Sequence, residues 1–158
     1  MAAQMEHCYE LMVFAARTGN FTATEVRGIL THALANSLKG RFTGSVSREA
    51  IIAVNNGFVG HTLVVEHPHR IQACLTDYFR VAMRDNLYPG FEEFEARLNE
   101  LSEVNITTRI ENAALSRKGA TYASVGIELI DWCDINEIDK VIFRKYLAGK
   151  ISNLSEFK

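Results

Sequence analysis

Arg27 and His32 sit five positions apart in one amphipathic stretch, pairing a permanent cation with a group that moves protons near neutral pH. Such an arginine holds a phosphate while the histidine acts on it as acid or base. Five residues span about 140° around a helix, so the two converge only across a dimer or a bent helix. His61, Glu66, His67 and His69, with Cys74 a turn further on, are the imidazole, carboxylate and thiolate donors that zinc or another divalent transition metal takes. Neither Cys-x2-Cys nor His-Glu-x2-His accompanies them, and Glu66-His67-Pro68-His69 also reads as a helix entry with solvated imidazoles. Glu92 with Glu95, and Glu128 with Asp131, are i, i+3 carboxylate pairs that project from one helical face. Two such pairs across a bundle can hold Mg²⁺ for phosphate chemistry.

Two of these spacings resemble family patterns. The Arg27/His32 interval resembles the R-x4-H element of HEPN-type ribonucleases, which would make Arg27 the phosphate holder and His32 the proton carrier on RNA. The carboxylate pairs are similar to the E-x-x-E and E-x-x-D pattern of all-helical MazG-type nucleotide pyrophosphohydrolases. That resemblance implies Mg²⁺ held by Glu92, Glu95, Glu128 and Asp131. The first pair lacks the usual acidic flank, and the interval to the second is long. A structural reading stands ahead of each: Glu92 and Glu95 complement a helix dipole, and Glu128 and Asp131 pair with Arg or Lys. No G-x-S-x-G elbow, P-loop or G-x-G-x-x-G occurs in the sequence.

The elements that would carry these residues read as helices nearly throughout. Met5, Tyr9, Met12, Val13 and Ala16 form one stripe, ended by Thr18-Gly19-Asn20. Thr22 and Glu25 form a capping box, with Phe21 and Val26 as its staple, and open a helix to about Gly40 that buries Ile29, Ala33 and Leu34. Gly40 to Ser45 reads as a turn-rich loop, and Ser47 caps the next helix, which carries Ile51, Val54 and Phe58. Residues 60–67 and 104–110 fit a strand or a helix equally. Ile71, Leu75, Tyr78, Phe79 and Ala82 share a face after Pro68, and Phe91, Phe94, Leu98 and Leu101 share another after Pro89-Gly90. Thr121 to Cys133 is apolar nearly all round and predicts a central helix bearing Glu128 and Asp131. The last helix takes Asp134 as cap and turns Ile138, Val141 and Ile142 inward, which leaves Phe143 and Tyr146 as interface candidates.

These elements predict an all-α fold, with at most a short two-stranded element. It is a single-domain bundle of about seven to eight helices over residues 1–149, with 150–158 frayed. Apolar residues at 47% and charged residues at 23% are globular proportions, and a net charge of −2 gives no general field for nucleic acid. The opening residues lack a signal peptide, no run approaches the roughly 18 apolar residues of a membrane span, and three widely spaced cysteines suit free thiols. The expectation is therefore a cytoplasmic protein-binding or regulatory module without a cofactor: an adaptor, an inhibitor or a self-associating protein. The alternative is a Mg²⁺-dependent enzyme of nucleotide or RNA hydrolysis.

Overall fold

The computed structural model describes residues 2–34, 39–57 and 60–158. Along them run α1 (Ala2–Arg17), α2 (Ala23–Leu34), β1 (Arg41–Ser47), α3 (Arg48–Asn55), β2 (Leu63–Glu66) and α4 (Ile71–Asp85). Then come α5 (Phe91–Leu101), β3 (Glu103–Thr108), α6 (Arg109–Leu115), β4 (Leu129–Asp131) and α7 (Glu137–Leu147). Short 3₁₀ turns occupy Ala123–Val125, Trp132–Asp134 and Leu154–Glu156. The strands form one mixed sheet in the order β2-β3-β1-β4, so the expected all-α bundle gives way to an α/β fold. Contacts divide the chain into two compact units, Met1–Lys39 with His69–Ser102 and Gly40–Pro68 with Glu103–Lys158. The expected run of the second helix through residues 35–38 lies outside the described residues, as does Phe58.

The first unit holds α1, α2, α4 and α5, and here the helical periodicity places the core well. Met5, Tyr9, Met12, Leu75, Phe79, Phe94, Leu98 and Leu101 are buried together. Tyr9 stacks on Phe94 with ring centroids 4.5 Å apart, and its hydroxyl donates to the Pro89 carbonyl. The Thr22–Glu25 box forms: the Thr22 amide donates to Glu25 Oε2 at 2.7 Å, and the Glu25 amide donates to Thr22 Oγ1 at 3.3 Å. Val26 and Leu30 face inward on α2, while Ala33 is exposed and Phe21 stays 44% exposed.

In the second unit β3 pairs with β1 in parallel and with β2 antiparallel, and β1 pairs antiparallel with β4. Phe42, Val46, Val104 and Ile106 bury against Ala50 and Val54 of α3 and Phe143 and Leu147 of α7. The opposite face is polar. There Thr43 donates to Asn105 Oδ1 at 2.5 Å, Asn105 Nδ2 donates to the Tyr122 hydroxyl at 2.7 Å, and Tyr122 donates to Glu66. Burial, then the bond to Glu66, pushes the Tyr122 hydroxyl well above its usual pKa.

Four expectations need correction here, and one open alternative is decided. Arg41 to Ser45 belongs to β1 and not to a loop, with Gly40 bridging just before it; the strand's alternate residues Phe42, Gly44 and Val46 bury one face. Gly44, at φ +93°, sits where the register between β1 and β3 shifts, which is glycine's place in a bulge. Residues 63–66 and 103–108, which fit a strand or a helix equally in sequence, are strands, and α6 starts only at Arg109 behind a Thr108–Glu111 capping box. Thr121 to Cys133 is no central helix. Gly126 at φ +73° ends a 3₁₀ turn, and β4 follows as an edge strand whose residues are half-buried or exposed. The segment after Gly149 does not fray, since Ile151 is buried and bridges Gly40. The Asn153 amide also completes the backbone of Phe42, accepting from its N–H at 2.9 Å and donating to its carbonyl at 3.0 Å.

The fourth correction concerns the last helix. Asn136, two residues later than expected, is its cap, accepting from the Asp139 amide at 2.9 Å. Asp139, Lys140, Phe143 and Leu147 turn inward, while Ile138 and Val141 are 77% and 50% exposed. Phe143, expected at an interface, is fully buried in this unit's own core. Tyr146 is half-buried, with the Lys150 ammonium 3.2 Å from its ring centroid.

Candidate functional site

Ser47 ends β1 and starts α3, and its buried hydroxyl does two jobs. It accepts from the Ala50 amide at 3.1 Å and donates to Glu111 Oε2 at 2.6 Å, so α6 locks the direction in which α3 leaves the sheet. Arg48, the next residue, then points at the start of β4. Its Nε and Nη2 each reach Glu128 at 2.5 Å, and its amide donates to the Glu128 carbonyl at 2.9 Å. The guanidinium holds the Glu128 carboxyl below the usual carboxylate range.

Beyond this clamp β4 runs along β1 with Ser45 opposite Asp131, Val46 opposite Ile130 and Ser47 opposite Leu129. The 3₁₀ turn at Trp132–Asp134 follows, fixed by Trp132, whose ring meets Phe42 and Phe157 edge-on at 5.7 and 5.6 Å. Ile135 is buried behind the turn, and Asn136 opens α7. These pieces enclose an open cleft of about 460 Å³ lined by Arg48, Ile51, Leu129, Ile130, Asp131, Asp134, Ile135 and Asn136. Its floor is aliphatic, since Ile51, Ile130 and Ile135 all belong to this unit's core. Its rim is acidic. Arg48 is spent on Glu128, while Asp131 and Asp134 are exposed and form no ion pair among the described residues.

The sequence candidates scatter. Arg27 is half-buried and His32 exposed on α2, five residues apart on the same helix. His61, His67 and His69 are exposed, and Glu66 is buried on the polar face of the sheet with Tyr122. Cys74 lies on α4 in the other unit. Glu92 and Glu95 lie on α5 in the first unit, and Glu128 and Asp131 lie at β4 in the second. Because β4 is a strand, Glu128 and Asp131 do not share a helical face. Among the described residues no three His, Cys, Asp or Glu side chains are grouped to hold a metal.

Of the cleft's lining, sequence reasoning had singled out Asp131 alone as a site candidate. Ile51 had been assigned to a core face and Asp134 to a cap. Arg48 and Asn136 carried no signal beyond ordinary helix-start chemistry, because the cleft is made by the β1–β4 pairing, which joins residues more than 80 apart. Compared with known proteins, the chain matches no family model, no curated protein and no solved structure.

Proposed function

We propose that this protein is a binding module of the cytoplasm, an adaptor or inhibitor that receives a protein partner at the cleft beside β4. The observation that carries this reading is an open cleft with an aliphatic floor and two uncompensated carboxylates on its rim. Apolar surface bounded by charge is the usual composition of a protein interface. The helix α3, which supplies Arg48 and Ile51 to the cleft, also leaves Ile52 exposed. Self-association and an enzyme's metal are weaker readings: Phe143 is committed to the core, and Glu128 is held by Arg48. Among the described residues no helix is long and apolar enough to cross a membrane.

The test is a comparison of the wild type with an Asp131→Lys, Asp134→Lys double variant. Both positions are exposed, so the melting temperature should not fall. A partner co-purified from the native host with the wild type should be lost from the double variant. A partner retained equally by both would put the interface elsewhere. A melting temperature raised by Mg²⁺ in the wild type and not in the variant would favour the metal enzyme instead.

A further inference from the structure

β4 is the outer strand of the sheet, and its register decides which of its backbone groups are used. The Arg48 amide bonds to the Glu128 carbonyl, so Glu128 and Ile130 turn their backbone toward β1 in the antiparallel ladder. The intervening Leu129 and Asp131 turn theirs the other way. The Leu129 N–H, the Leu129 carbonyl and the Asp131 N–H then have no backbone or side-chain partner among the described residues. Such a row of unmet groups is a template for another strand.

The side chains on either side of this row specify what that strand carries. Ile130 points to the same face as Val46, into the core side where Ile51 and Ile135 form the cleft floor. A residue placed opposite Ile130 sends its side chain into the cleft. Asp131, at the cleft's rim, points with Ser45 away from the floor toward the other face, so the neighbouring residue of an incoming strand stands beside its carboxylate. We infer that the partner enters as an extended segment that continues the sheet beyond β4, with a bulky aliphatic or aromatic residue in the cleft and a Lys or Arg beside it at Asp131. This deepens the reading of the cleft as a protein-binding site and rests on it. A second copy of the chain fits less well. It would bring Asp131 and Asp134 of both copies to one seam, with each Arg48 already engaged by Glu128.

A library of random linear ten-residue peptides, selected by display against the full chain, supplies the probe. The expected winners carry an apolar residue directly beside Lys or Arg, and lose at least tenfold in affinity for the Asp131→Lys variant. Amide hydrogen exchange read by NMR then separates strand addition from other modes. A bound peptide should slow exchange at Leu129 and Asp131 at least tenfold while leaving Ile130, already bonded to β1, unchanged. A peptide that needs Asp131 but leaves both amides unprotected overturns strand addition and keeps the cleft as the binding site. The absence of any peptide sensitive to Asp131→Lys overturns both. Protection of the two amides without peptide, in a chain that light scattering shows to be a dimer, assigns the edge to a second copy and overturns the inference.

Discussion

Tyr122 shows how much a single hydroxyl organises in the second unit. It accepts from Asn105 and donates to Glu66, so one phenol spans two strands and a buried carboxylate. Replacing it with Phe removes a donor from Glu66 and an acceptor from Asn105, and should cost about 1–3 kcal/mol in denaturant unfolding. Its raised pKa also has a sign in pH. The folded state keeps the proton where an unfolded tyrosine, ionising near about 10, gives it up, so stability is full below that value and falls as pH rises beyond it. Tyr9, Tyr78 and Tyr146 shift the same way through burial, so the wild type should lose stability steeply in alkali. Tyr122→Phe should flatten that loss; an unchanged slope would show that Tyr122 is solvated. None of this bonding is legible at Tyr122 itself, which falls within the central helix that Thr121 to Cys133 predicts. Glu66 stands out in sequence for its histidine neighbours, which are exposed, and not for the strand register that buries it.

The last helix and the strands show what sequence periodicity can and cannot locate. In α1, α4 and α5 the apolar stripe read from sequence is the buried stripe, because those helices pack on other helices, although Leu11, Phe14 and Val81 stay exposed outside it. In α7 three aliphatic residues, Ile138, Val141 and Ile142, outweigh Phe143 and Leu147 in any stripe read from sequence, yet the buried face centres on the latter two. The true cap at Asn136 fixes that face, and Asp134 two residues earlier looks equally fit for the role. Phe143→Ala should therefore cost about 3–5 kcal/mol, as for a large core truncation, whereas Ile138→Ala should stay within about 0.5 kcal/mol. Equal losses from the two variants would restore the stripe read from sequence. β1 escaped notice for a different reason: Thr43, Gly44, Ser45 and Ser47 are turn residues by composition, and its burial comes from partners remote in sequence. Gly40 is part of the same joint, since a Cβ there would meet Val104 Cγ1 at 2.7 Å. Gly40→Ala should lower the melting temperature by several degrees through that clash, as calorimetry would register.

Across the whole molecule, the chain alternates between its two units: it leaves the helical one at Lys39, returns at His69 and departs again at Ser102. The inner strand β3, which joins β2 to β1, lies wholly after the last crossing. A chain stopped at Ser102 should keep the helical dichroism of the first unit and expose β1 and β2 without the strand both pair with. It should associate on size exclusion, and a monomeric fragment with protected β1 amides would contradict this. The same order of elements sets a clock on the ribosome. β3 begins about 56 residues after β1 ends, which at ordinary elongation rates is roughly 3 to 11 seconds. Throughout that interval the nascent chain carries Phe42 and Val46 with no sheet to bury them. Slowing translation between β1 and β3 should therefore lower the yield of folded protein, and an unchanged yield would show that β1 waits safely for its partner.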